Sequence, residues 1–250
     1  MKYSIIIPTL NESETLPKLI ANLSGFDTDK EIIIVDCGSC DSTDVIAQNA
    51  NLKLLIDLNG RGSQMNTGAK NAEGEILLFV HSDTVLPKNT FEIIENTFSK
   101  SNVQIASFKM KFDNNKLILK IYSFFTRFDS LFTNFGDQVI VVRKSFFVEL
   151  GGFPNQKIME DLEFLRIARK KTKIHKLNSS VITSARRFEK LGFLKTQVLN
   201  LWYIIKYLNG TSPTKIYEQY FKSKTKFSGY NIRKISGAGK SKNAVGFRNG

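Results

Sequence analysis

A chain of 250 residues, 42% hydrophobic and 24% charged, has the balance of an ordinary globular protein and room for one large α/β domain or two small ones. It contains no run of about 18 apolar residues, which excludes a membrane-crossing helix, and its two cysteines cannot complete a structural zinc site by themselves. The formal charge of +13 points to a nucleic-acid binder only until it is located: residues 222–250 hold eight Lys or Arg and no acid, leaving 28 basic against 23 acidic residues, or +5, in residues 1–221.

Tyr3–Pro8 (YSIIIP) is an apolar run of strand length, and Thr9–Glu12 is the turn after it. No cleavable leader precedes it, so the expectation is cytoplasmic retention. Glu14–Leu23 repeats apolar residues at Leu16, Leu19, Ile20 and Leu23, a helix stripe. Glu31–Val35 is a second strand, ending in Asp36. Asp41 can cap a helix over Ser42–Ala50, with Asp44 three residues on as in a capping box. Leu52–Ile56 is a third strand and Arg61–Asn71 a helix entered through Asn59, Gly60 and Gly62. Ile76–Val80 is a fourth strand, continuous in apolar residues and so buried on both faces, and it ends in His81, Ser82 and Asp83. This alternation predicts an α/β fold with a mostly parallel central sheet and helices on both faces.

Ligands bind such sheets beyond the carboxyl ends of the strands. Three polar loops fall there: Thr9–Glu12, Asp36–Asp41 and His81–Asp83. Asp83 can hold a metal or phosphate, or merely cap the helix after Pro87.

Beyond Pro87 the pattern changes. Phe91–Phe98 reads as a helix, Val103–Phe112 as a strand, Lys116–Phe132 as an aromatic amphipathic helix and Asp137–Val142 as a strand. Lys144–Leu150 is a short helix, and Gly151–Gly152 a tight turn needing unusual φ. Glu160 and Asp161 open a helix to about Arg169. Val181–Ser184 is a short strand leading into Arg186, Arg187 and Phe188. Leu194, Val198, Leu201, Trp202, Ile205 and Leu208 mark one face of a last long helix. No linker or repeat interrupts the chain, so residues 1–221 are expected to form one domain, with a nucleotide-binding half to about 100 and an acceptor half beyond. Residues 222–250 are expected to form a basic solvated tail, or one drawn to an anionic membrane surface.

Other motifs fail on their own terms. Gly237–Ser241 (GAGKS) lacks the glycine a phosphate loop needs five positions before Gly239, where Lys234 stands. Gly60 and Gly62 give half a dinucleotide fingerprint, after the wrong strand. Cys37 and Cys40 form a CxxC, a redox pair only if other features agree.

IIIPTLNE at Ile5–Glu12, VDCGSCDST at Val35–Thr43, GRGSQMNTGAKNAEGEILLFVHSD at Gly60–Asp83, GGF at Gly151–Phe153 and MED at Met159–Asp161 together resemble the family 2 glycosyltransferases of GT-A fold. Arg61–Asn66, His81–Asp83 and Ser184–Phe188 are most similar to a small bacterial subgroup known as radical-SAM/selenodomain-associated transferases. The resemblance implies inverting transfer of a sugar from a nucleotide diphosphate sugar, a UDP-sugar foremost, to an acceptor hydroxyl. It implies Asp161 as the base, Asp83 on Mg²⁺ or Mn²⁺ against the diphosphate, and Pro8, Thr9, Asn11, Glu12 and Asp36 along the nucleoside. Arg61, Gln64 and Asn66 would face ribose or phosphate, His81 would adjoin the metal position, and Arg186 and Arg187 would close over the diphosphate. Gly136, Asp137 and Gln138 would lie along the acceptor cleft. His81 stands where relatives have the first acid of a DxD, and Cys37 where many have an Asp that pairs with uracil.

Other classes remain as alternatives: a sugar-phosphate nucleotidyltransferase, which lacks its Gly- and Arg-rich first loop here, or a non-catalytic basic protein binding nucleic acid or a membrane surface through Phe227, Tyr230 and the surrounding lysines. Without the resemblance, Glu160 and Asp161 are also plain helix-start acids. Phe124, Phe125, Phe128, Phe132 and the Leu194–Leu208 face suit a lipid-like acceptor at an anionic membrane, or else a plain core.

Overall fold

The computed structural model describes residues 1–186 and 192–228. The first half alternates as its apolar runs require: β1 (Tyr3–Thr9), α1 (Leu16–Ser24), β2 (Lys30–Asp36), α2 (Thr43–Asn49), β3 (Lys53–Ile56), α3 (Arg61–Lys70) and β4 (Ile76–Phe79). Then come β5 (Thr84–Val85), α4 (Thr90–Phe98), β6 (Ile105–Phe112), α5 (Leu117–Phe125), a single 3₁₀ turn at Gly136–Gln138, β7 (Ile140–Arg143), α6 (Lys144–Glu149), α7 (Glu160–Lys171), β8 (His175–Thr183), α8 (Phe193–Leu208) and α9 (Pro213–Ser228).

One sheet runs through both halves in the order β3-β2-β1-β4-β7-β6-β8-β5. The pairs β1–β2, β1–β4 and β2–β3 are parallel, as expected for strands joined by helical crossovers. Beyond β4 the sheet is mixed: β7 lies antiparallel between β4 and β6, while β6 and β8 are parallel. Alternation along β1 sends Ile5 and Ile7 into a core with α1 and α4, and Ile6 into a second core with α3 and α7. In the second core Phe79, Phe147, Phe153 and Phe164 stack with centroids 4.6–5.5 Å apart. That aromatic cluster seats the Gly151–Phe153 turn against the start of α7.

The second half departs from expectation where side chains compete with the backbone. The helix expected over Lys116–Phe132 stops at Phe125, because Thr126 Oγ1 donates to the Ser123 carbonyl and accepts the Met110 N–H across to β6. The strand expected from Asp137 begins only at Ile140, after the 3₁₀ turn and Val139, whose φ of 54° is a left-handed value for a β-branched residue. β8 is longer than expected because Lys176, Asn178, Ser179 and Ser180 disguise its first half as loop. α8 is not the last helix, and the expected tail boundary at 222 falls inside α9. Gly151 and Gly152 take φ of 80° and 73°. The GAGKS segment, Phe188 and Arg187 lie outside the described residues.

Gly74 shows how tightly the parallel half is closed. A Cβ there would lie 2.6 Å from the Ser4 nitrogen and 2.7 Å from the Tyr3 carbonyl carbon, backbone atoms of β1 that cannot turn aside. Gly74→Ala is therefore expected to cost about 1–3 kcal/mol, read as a Tm lower by several degrees in a thermal melt. An unchanged Tm would mean that the Glu73–Glu75 turn is looser than this packing requires.

Candidate active site

The loops after β1 and β2 clasp each other. Asp36, 1% exposed, accepts from Thr9 Oγ1 at 2.8 Å, Ser39 N at 2.7 Å and Ser39 Oγ at 2.6 Å. Asn11, at φ 56°, donates its N–H to Ser39 Oγ and accepts the Cys40 N–H on its side chain, while Glu12 N–H donates to Thr43 Oγ1. Burial would raise Asp41, but hydrogen bonds from Thr43 and Ser13 outweigh it and hold the carboxyl at about 2. Pro8 precedes this clasp in β1, paired with Val35. Both Cys37 and Cys40 are free thiols.

Two expected ligand residues turn inward. Gln64 is 3% exposed and gives its amide to the carbonyls of Thr9 and Val35, tying the two strand ends together rather than facing a ribose. Asn66 donates to the Phe153 carbonyl and accepts its N–H, clamping the glycine turn. Both side chains build the site's wall.

The charged centre gathers side chains from four elements. Arg61, at the start of α3, bonds Glu160 through Nε and sets Nη2 3.6 Å from Asp161 Oδ2. Asp161 also accepts from Gly136 N at 2.9 Å and Leu162 N at 2.8 Å. A Cβ on Gly136 would lie 3.0 Å from Asp161 Oδ2, so this approach suits glycine. Burial would raise the Asp161 carboxyl, yet Arg61 and the two N–H groups bring it below its ordinary value. Asp137 goes the other way: burial and the nearby Asp161 push it up to about 6. Its Oδ1 is buried without a hydrogen-bond partner, as is Glu160 Oε2. His81 is held neutral near pH 7, at about 3, by burial and the Arg61 charge.

Arg186 reaches over the loops after β1 and β4, donating to Glu12 Oε2 at 2.8 Å with Asp83 Oδ2 3.9 Å away. Asp83 is raised by burial, and Glu12 adds to that against Arg186. Among the described residues no three His, Cys, Asp or Glu side chains are grouped to hold a metal unaided. A single carboxylate fits a hard divalent cation that takes its remaining ligands from a diphosphate and water.

Arg61, His81, Asp83, Asp137 and Asp161 all border one cavity of about 670 Å³. Its wall also includes the apolar and aromatic side chains of Tyr122, Phe132, Phe135, Val198, Leu201 and Tyr203. Interacting with Asp137 from outside the cavity wall is Lys176 of β8, which sequence reasoning missed. Its Nζ donates to Ser107 Oγ, the Phe108 carbonyl and Gln138 Oε1, and burial lowers it to about 7 against the pull of Asp129 and Asp137. A lysine in a polar strand segment gives no sequence signal of burial.

The chain resembles known proteins in sequence and in fold. The profile of the glycosyl transferase family 2 covers residues 4–175. The poly(ribitol-phosphate) beta-N-acetylglucosaminyltransferase TarS of Staphylococcus aureus is 31% identical over 126 residues, 46% of this chain and 22% of that protein. Its crystal structure with UDP superimposes with a TM-score of 0.63 at 20% identity, over 94% of this chain and 75% of the other. A Campylobacter jejuni GalNAc(5)-diNAcBac-PP-undecaprenol beta-1,3-glucosyltransferase is 33% identical over 94 residues, 34% of this chain and 30% of that protein. The mannosyltransferase PcManGT from Pyrobaculum calidifontis, solved with GDP-Man and Mn²⁺, gives a TM-score of 0.64 at 15% identity, over 90% and 69% of the two chains. The chain thus spans less than a third of the length of these two relatives matched by sequence. With more than half of its residues under the family profile and the fold matched over most of the chain, the chain belongs to glycosyl transferase family 2 and carries the GT-A fold.

Proposed function

We propose that this protein is an inverting glycosyltransferase that moves a sugar from a UDP-sugar to an acceptor hydroxyl. The observation that carries the reading is Asp161: a carboxylate bordering the cavity and kept ionised by Arg61 and two backbone N–H groups. The acceptor oxygen attacks the anomeric carbon as the carbon–oxygen bond to the diphosphate breaks in line, and the acceptor proton passes to Asp161. Charge developing on the leaving diphosphate is met by Arg186, which exchanges Glu12 for phosphate oxygens in a bidentate contact. Arg187 is assigned the same role from the sequence alone.

Asp83 would hold Mg²⁺ or Mn²⁺, which when bound neutralises diphosphate charge. Pro8, Thr9, Asn11, Glu12 and Asp36 shape the nucleoside side, and His81, neutral, adjoins the metal position. The UDP preference rests on TarS, whose structures hold UDP and UDP-GlcNAc. Within the family we assign the chain to the radical-SAM/selenodomain-associated subgroup on Arg61–Asn66, His81–Asp83 and Ser184–Phe188. We take the acceptor as lipid-like, offered at the inner face of the cell membrane, with no role for nucleic acid; the apolar and aromatic side chains in the cavity wall support this.

Calorimetric titration of UDP and GDP, with and without Mn²⁺, tests the reading on the native chain and on Asp83→Ala. Mn²⁺-dependent UDP binding is expected, weakened by about 10–100-fold or more in the variant. Failure of any nucleotide to bind, or equal binding by Asp83→Ala, would overturn it.

A further inference from the structure

Two helices next to the cavity carry apolar stripes that no part of the described chain covers. On α5 and the turn after it, Leu117, Ile121, Phe124, Phe125, Phe128 and Phe132 are 48–73% exposed, while Leu119 and Thr126 on the opposite side are buried. On α8, Val198, Leu201, Trp202 and Ile205 are 43–66% exposed, with Tyr203 and Ile204 turned inward. Within each helix the spacing is that of one face, and Phe128 and Phe132 continue the exposed apolar surface in the segment after α5. Isolated exposed apolar residues are ordinary, but two neighbouring stripes of them are a binding surface. Tyr122 and Phe193, 6.1 Å apart, join the two helices, and Phe132, Val198 and Leu201 are at once exposed and part of the cavity wall. The stripes therefore meet at the mouth that leads to Asp161.

The charges beside the stripes choose the occupant. Lys116, Lys120 and Arg127 accompany α5 with no acid before Asp129, and Asp129 is bonded to Arg169. Lys195 and Lys206 lie on α8, which has no acid. Arg127 stands 3.8 Å over the Phe124 ring and Lys206 3.5 Å over the Trp202 ring, so cation and aromatic share one surface. A second copy seated here would set one basic, apolar face against another. An anionic bilayer complements both features, taking aromatic side chains at its interface and basic ones at its headgroups.

We infer that the α5 and α8 stripes dock this protein on an anionic lipid surface, with the cavity mouth set in the docking plane. This rests on the acceptor-side reading of the cavity given above: a lipid-borne hydroxyl would then reach Asp161 without leaving the membrane. Phe125 and Phe128 lie on the stripe and outside the cavity wall, so they can be changed without touching the site.

The test is co-sedimentation of the full chain with phosphatidylcholine vesicles, with and without phosphatidylglycerol, at low salt. Binding to the anionic vesicles is expected, reduced about tenfold or more in Phe125→Ser/Phe128→Ser and equally in Leu117→Ser/Ile121→Ser. UDP titration of the same variants should match the native chain. Failure to bind anionic vesicles overturns the inference, and a dimer in sedimentation velocity without vesicle binding would assign the face to a second copy. Native-level binding by both variants, with loss only on deleting residues 229–250, would overturn it in favour of the tail. Vesicle binding without any nucleotide binding would instead sink the glycosyltransferase reading and leave the docking face standing.

Discussion

Asp161→Asn is expected to lower kcat by about 10²–10⁴-fold while UDP binding stays near native. The substitution keeps the size of the side chain and removes its capacity to take a proton. One hydrogen bond suffers as well: the carboxylate accepts from Gly136 N and Leu162 N on different oxygens, and an amide can accept only on one. A stability loss of about 1–3 kcal/mol accompanies the kinetic effect, so activity should be measured well below the variant's Tm. Asp137→Asn is the control that gives the result its meaning. Asp137, pushed up to about 6, borders the same cavity and has a buried oxygen without a partner, so on proton affinity alone it is a rival base. The two differ in surroundings. Asp161 sits at the start of α7 beside Arg61, ionised and ready to receive a proton, whereas at Asp137 burial and the repulsion of Asp161 outweigh the pull of Arg61 and Lys176, and it suits a second, neighbouring hydroxyl of the acceptor. Asp137→Asn is accordingly expected to cost about tenfold, mainly in KM for the acceptor. If single-turnover transfer collapsed in Asp137→Asn and survived in Asp161→Asn, the roles would be exchanged and the mechanism above would be wrong.

How much of this was legible in the sequence depends on which physical signal each residue leaves. Buried parallel strands must be apolar on both faces, so β1, β2 and β4 announce themselves as runs, and the polar residues at their ends mark the binding edge. The second half has no such rule. Lys116–Phe132 carries enough apolar spacing for one helix, but a single hydroxyl, Thr126, finds backbone partners on its own helix and on β6 and ends it. The first half of β8 is polar because Lys176 goes inward to polar acceptors and His175, Asn178, Ser179 and Ser180 are exposed or half-exposed, with only Leu177 buried among them. Within the site, chemistry-bearing residue types were visible but their targets were not. Gln64 and Asn66 have the amides one would choose for a ribose, and the fold spends them on carbonyls of Thr9, Val35 and Phe153. The resemblance points Arg61 at ribose or phosphate, while its partner Glu160 lies 99 residues away, a separation at which composition and periodicity carry no information. The apolar faces of α5 and α8 were legible as stripes, yet only their exposure distinguishes a docking surface from a core.

That long-range pair carries the second large effect. In Arg61→Met the buried Glu160, 3% exposed at its side chain, loses its cation, and Asp161 loses the charge that counters its own burial. Breaking a buried pair on one side costs about 3–5 kcal/mol, and the value here belongs at the lower end because the Arg61 side chain is itself 40% exposed to solvent. The sign of the pH effect follows from the direction of the shift. Arg61 lowers Asp161 and also opposes the rise of Asp137, so removing it raises both carboxyls. The base is then protonated over a range in which the native enzyme is ionised, and the acid limb of kcat/KM moves to higher pH. Arg61→Lys retains a cation at this place and should bring the acid limb back toward the native position. A purely structural arginine would lower stability and leave the pH profile of the folded fraction where it was. A phosphate-contacting arginine would raise the UDP dissociation constant with that profile unmoved. Measuring kcat/KM against pH, UDP affinity by calorimetry and Tm on the same three proteins separates the readings, and an unshifted acid limb in Arg61→Met would remove Arg61 from its part in keeping Asp161 ionised.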